Sequence, residues 1–221
     1  MRIALVALLF ALALAGSGAA AKTSTCTVCG IEITPAGFHS LTPDNPAVGA
    51  KVEWTNSDTK NHQVSHVGGV FRSEILKPFS FYERRVSAGK WQYRDPVGNA
   101  PSSYFIVAPE LQAKGDAVVA RWATPVTDTG RHFCVQWSVE RRGVTFTYIK
   151  SPRIATTANG GRLRRGKRFV DNHGTKITLR RGDQVRVALL SGIGSKCPNG
   201  ETPEHPLGWS QYTSSVRVKM P

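Results

Sequence analysis

The feature that most limits the fold is a period of two. Apolar side chains recur at every second residue in short runs, and no segment keeps an i, i+3, i+4, i+7 rhythm for three turns. The run "AKVEWTN" (50–56) puts Val52 and Trp54 on one face of a strand, and "AVVARWA" (117–123) does the same with Val118, Ala120 and Trp122. Between such runs stand Pro/Gly/Asn-rich breaks such as "TPAGFHSLTPDNPAVG" (34–49), Gly68-Gly69 and Lys77-Pro78. The chain carries 21 Gly and 13 Pro. The pattern predicts an all-β protein with almost no helix after the leader.

Residues 1–21 read as that leader. Arg2 opens it, Ile3 to Ala15 is almost wholly apolar, and "GSGAAA" supplies small residues for cleavage. The apolar run is too short to span a bilayer, and no later stretch is apolar enough. No Cys follows the small residues directly, which argues against a lipid anchor there. The expectation is a secreted or cell-envelope protein with no transmembrane segment in the mature chain. In that compartment the four Cys, at 26, 29, 134 and 197, imply two disulfides with three possible pairings. Cys26 and Cys29 form C-x-x-C. Redox use of that motif needs a following helix to lower a thiol's pKa, and "GIEITPAGF" is not one. No second C-x-x-C supports zinc. A structural bridge is the reading.

The net charge is +14 and uneven. Residues 22–107 hold 9 Lys/Arg against 7 Asp/Glu, whereas residues 108–221 hold 19 against 8. A basic second half fits either an anionic partner or a solubilising surface. After "VAPELQAKGD" the strand pattern restarts, with Pro109 and the Lys114-Gly115-Asp116 turn read as a linker. The division expected is 1–21 leader, 22–108 first domain and 109–221 second domain.

Over residues 31–108, "VGAKVEWTNSDTKNHQV" and "VFRSEILKPFSFYERRVSAGKWQYR" together resemble cupredoxins, the plastocyanin-like blue copper domains. The resemblance implies a Greek-key β-sandwich and places His62 at the first copper-ligand position. Blue copper sites use two His, one Cys and a weak axial Met. The slots after "KWQYR" hold Asp95, Gly98 and Pro101, none of which supplies a thiolate, imidazole or thioether. His66 lies about 13 Å from His62 if both stand on one strand, too far for a shared ion. His39 could approach from the first loop, giving a conceivable site with Asp95. The expectation is a frame without copper and no cofactor, with His62 kept for packing or hydrogen bonding. Asp95, Asn99 and Tyr104 then mark a possible contact surface at that end.

Over residues 108–221, "ARWATP", "FCVQW", "VRVALLS" and "GWSQYTSSVRV" resemble a fibronectin type III domain, a second, immunoglobulin-like sandwich. That topology brings Cys134, early in its third strand, to Cys197 after the sixth. It leaves Cys26–Cys29 as a tight local bridge. Closing the longer loop stabilises by roughly 3 to 4 kcal/mol on the chain-entropy model. The family's corner Tyr is absent: Asp183 or Gln184 stands there, so the corner must close another way.

The densest charge run is "GGRLRRGKRF", with Arg162, Arg164, Arg165, Lys167 and Arg168; Phe169 is expected to point inward. These cations suit an anionic cell-envelope polymer or protein partner. No reader motif suggests specific nucleic-acid binding. Neither a nucleophile elbow nor a paired-carboxylate spacing is visible, and the remaining His residues are scattered, so no enzyme is expected. The sequence therefore points to a non-catalytic binding or adhesion protein, with a copper-binding electron carrier centred on His62 as the alternative.

Overall fold

The computed structural model describes residues 24–149, 155–171, 173–198, 207–215 and 217–221. The leader, His205 and the ends of several loops lie outside them. Among the described residues there are seventeen strands and no helix, so none is long and apolar enough to cross a membrane.

The first half holds β1 (Thr25–Thr34), β2 (Gly37–Ser40), β3 (Asn45–Asn56), β4 (Ser65–His66), β5 (Phe81–Arg85), β6 (Gly89–Arg94) and β7 (Ser103–Val107). One sheet runs β2-β1-β3-β5, with β1 and β3 parallel; a second runs β4-β6-β7. Trp54, fully buried on β3, joins the two layers. Its ring lies 5.6 Å from Tyr82 of β5, 5.5 Å from Tyr93 of β6 and 6.0 Å from Phe105 of β7. Alternation along β3 sends Val48, Ala50, Val52 and Trp54 inward, as the period of two requires.

The second half holds β8 (Glu110–Lys114), β9 (Ala117–Arg121), β10 (His132–Arg141), β11 (Val144–Ile149), β12 (Gly160–Arg164), β13 (Arg168–Val170), β14 (Lys176–Thr178), β15 (Gln184–Gly192), β16 (Thr213–Ser214) and β17 (Val218–Lys219). A β12-β9-β8 sheet accompanies a β11-β10-β15-β16 sheet that β17 joins, and β13-β14 is a separate hairpin. Val118, Leu163, Trp137 and Val187 are buried between these layers, as in a β-sandwich.

Two differences from the sequence reading stand out. The linker contains a strand: β8 pairs with β9 across the Gly115 turn, leaving Ala108 and Pro109 between β7 and β8. The loop at 34–49 contains β2 and the start of β3. Residues 62–67 contribute β4 and isolated bridges from His62 to Leu76 and from Ser65 to Arg72. The stretch 68–86 gives β5 and isolated bridges at Arg72, Leu76 and Val86.

The structure joins Cys26 to Cys29 and Cys134 to Cys197, with Cα atoms 5.6 and 5.7 Å apart. An ion pair ties the end of β10 to the turn before β15. Buried Asp183 accepts Arg141 Nε at 2.7 Å and Nη2 at 2.6 Å, and the Arg180 amide at 2.8 Å. Burial alone would raise this carboxyl's pKa; Arg141 and the Arg180 amide outweigh it and hold it below the usual carboxylate value.

The two halves share one hydrophobic core, which runs without a break from Trp54 and Trp91 to Trp122 and Trp137. Hydrogen bonds tie the two halves together around Ser87 and Ala88. The Ala88 amide donates to Trp122 O at 2.8 Å, Ser87 Oγ donates to Thr129 O at 2.7 Å, and Ser191 Oγ donates to Ala88 O. Gly130 sits in this seam at φ 65°, and a Cβ there would meet Ser87, Ser191 and Trp91.

Candidate functional site

The site begins at the end of β3. Asn56, fully buried, closes the following turn: its Nδ2 donates to Lys60 O at 2.8 Å and Leu76 O at 2.9 Å, and its Oδ1 accepts the Asp58 amide at 2.9 Å. This Asx turn points the Asp58 carboxylate back toward His62, four residues on. Asp58 Oδ2 lies 2.9 Å from His62 Nε2.

The other side of the ring belongs to the loop after β6. Asp95 Oδ2 lies 2.5 Å from His62 Nδ1. Asp95 Oδ1 accepts the amides of Gln63, Val97 and Gly98 at 2.9, 3.0 and 2.9 Å. The loop can approach so closely because residue 98 has no side chain: a Cβ there would overlap both the His62 ring and the Asp95 carboxylate. His62, Asp58 and Asp95 are all buried.

The electrostatics follow from this geometry. Each ring nitrogen faces a carboxylate, an arrangement that favours the doubly protonated imidazolium. Burial, the largest single influence on His62, pulls its pKa down; the hydrogen bonds and charges of Asp95 and Asp58 together overcome it and leave the pKa raised. Asp58 is held below its usual value, chiefly by its hydrogen bond to His62. Burial pushes Asp95 up, but the Gly98 amide, His62 and the two other amides pull it further down.

Copper requires a nitrogen lone pair, and an imidazolium with both N–H groups engaged offers none. Asp95, the one oxygen donor among the three replaced slots, already holds the ring and three amides. Gly98 packs against them, and Pro101 is exposed and lies against Gly37. His66 packs between Phe71 and Trp91, with ring centroids 5.3 Å from each, and His39 is exposed on β2. The residues present do not fit a copper ion. Among the described residues no group of three or more His, Cys, Asp or Glu is arranged to hold a metal.

Sequence reasoning placed Asp95 beside His62 but missed Asp58. An Asp four residues before a His carries no strand or helix signature, because the spacing acts only through the Asx turn. The same geometry disfavours a general-base role for His62, since both ring nitrogens already face carboxylates.

The basic run lies elsewhere. Arg162 and Arg164 point outward from β12 on either side of buried Leu163; Arg165 and Lys167 stand in the turn; Arg168 opens β13 before inward-facing Phe169. Arg162 has a loose pair with Asp116 at 3.4 Å. No carboxylate side chain among the described residues lies within salt-bridge distance of Arg164, Lys167 or Arg168. Tyr104, at the contact surface suggested for the first domain, is 57 % exposed beneath Lys90, whose Nζ lies 4.7 Å from the ring centre.

The chain matches no protein-family model and no curated protein.

Proposed function

We propose that this is a secreted, non-catalytic binding or adhesion protein of the cell envelope, built from a cupredoxin-like sandwich followed by a fibronectin type III-like one. The parallel β1–β3 pair opposite β4-β6-β7 supports the first assignment. The three-stranded β12-β9-β8 sheet opposite β11-β10-β15-β16 supports the second. In this reading the copper position has become structural: His62 is an ionic rivet joining the turn after β3 to the loop after β6.

The observation that carries the binding role is the row of solvent-facing cations from Arg162 to Arg168, most without a carboxylate partner in the described fold. Such a row attracts a polyanion with little sequence or shape selectivity. The test is co-sedimentation with isolated anionic envelope polymers at two salt concentrations. Binding that weakens steeply with salt, and that falls when Arg164 and Arg168 are both changed to Ser, is the expected result. Salt-independent binding, or none, would exclude the reading. Adding Cu(II) to the same protein is expected to give no intense visible absorption; a strong thiolate-to-copper band would restore the electron-carrier alternative.

A further inference from the structure

We infer that the cleft between the two strand sets is a binding site for an aliphatic anion, a single carboxylate or phosphate head on a narrow apolar body. The cleft has a volume of about 750 Å3, inside the range of about 300–1,000 Å3 usual for small-molecule sites, which favour domain junctions. Its first-half wall is mostly apolar, with Pro46, Ala47, Val48, Ile106 and Ala108 beside Thr25 and Asn45; its second-half wall brings Arg186, Ser214 and Arg217. A second hollow of about 320 Å3, lined by Ser138, Tyr212 and Thr213, shares Arg186 and Ser214 with the first. Arg186 therefore stands where an apolar chamber meets a polar one.

The charges single out Arg186. Glu110, in the same cleft, is answered by Arg121 at 2.6 Å, and Arg217 is answered by Glu140 at 2.7 Å. Arg186 has no carboxylate partner among the described residues. It is half-buried on β15, and its orientation is fixed: Nε donates to Ser215 O at 3.1 Å and Nη2 donates to Ser214 Oγ. Among the described residues Nη1 has no acceptor. A half-buried guanidinium, held in place and lacking a countercharge among the described residues, is an anchor for an oxyanion, and its fixed geometry lowers the ordering cost of binding. The apolar wall beside it sets the rest of the ligand. This cleft shares no residue with the basic turn of β12–β13.

The test is calorimetric titration of the full mature chain with decanoate and with decyl phosphate, which separates a carboxylate head from a phosphate head. Decanol and acetate serve as the uncharged and the body-less probes. Saturable binding of at least one anion is expected, with decanol and acetate weaker by about tenfold or more, the factor set by one hydrogen bond to a charged group. Arg186→Gln should weaken the anion about tenfold or more, and Ala108→Phe, at an exposed wall position, should do so by filling the apolar chamber. The Arg164→Ser/Arg168→Ser protein should bind decanoate like the wild type while losing the polymer, so the two readings fail separately. Absence of saturable heat with both anions, equal affinity for decanol, or a loss under roughly twofold in both cleft variants would overturn the inference.

Discussion

Replacing Asp95 with Asn tests the ionic rivet at its centre. The substitution keeps the shape, and Oδ1 can still accept the amides of Gln63, Val97 and Gly98. What disappears is the carboxylate at His62 Nδ1, 2.5 Å away. One hydrogen bond between charged groups contributes about 1.5 to 3 kcal/mol. At this chain length each kcal/mol moves the midpoint by about 2 to 4 °C, so Tm should fall by about 3 to 12 °C. The loss should depend on pH, and the sign follows from the two shifts. His62 has a raised pKa, so its contribution is full below its ordinary value of 6.5 and fades as pH rises through the folded value. Asp95 has a lowered pKa, so its contribution is full above its ordinary value of 3.8 and fades as pH falls through the folded value. The Asn penalty should therefore be greatest between these two values and smaller on both sides. Calorimetric melts of the wild type and variant from pH 3.5 to 8.5 measure it. A midpoint unchanged near pH 5.5, or a penalty that grows steadily toward pH 8.5, would refute the reasoning.

Gly98→Ala should destabilise by about 1 to 3 kcal/mol, because the new methyl group must displace His62 or Asp95; a urea melt reads this, and a neutral result would mean the loop is not clamped. Replacing Cys134 and Cys197 together by Ala should cost about 3 to 4 kcal/mol in the same assay, and replacing Cys26 and Cys29 should cost less, because the closed loop is shorter. Arg141→Met leaves the Asp183 carboxylate buried without its partner; a loss of about 2 to 4 kcal/mol is expected, toward the lower part of the range for broken buried pairs because Arg141 is partly exposed. Heating the wild type should give one calorimetric transition rather than two, since Trp54, Trp91, Trp122 and Trp137 belong to one core.

The all-β class was legible because a period of two leaves little choice about which faces are buried, as Val52 and Trp54 show. Strand ends were less legible. Glu110–Lys114 is mostly polar, and it is a strand because β9 beside it needs a partner, not because of its own alternation. The ion pair before β15 was not legible: Arg141 and Asp183 are 42 residues apart, and only the β10–β15 pairing brings them together. At the site, His62, Asp95 and Gly98 are brought together in the sequence reading only by the cupredoxin resemblance. Asp58 is not, because it acts through a local turn, and the space that Gly98 leaves for the ring shows only in three dimensions.

The state of the His62 ring tests the account most directly. Nitrogen-15 NMR of the imidazole near pH 6 should show two protonated ring nitrogens with slowly exchanging protons, and stoichiometric Cu(II) should leave both signals in place. One bare ring nitrogen, or loss of the His62 signals on adding copper, would show that the position still holds a ligand.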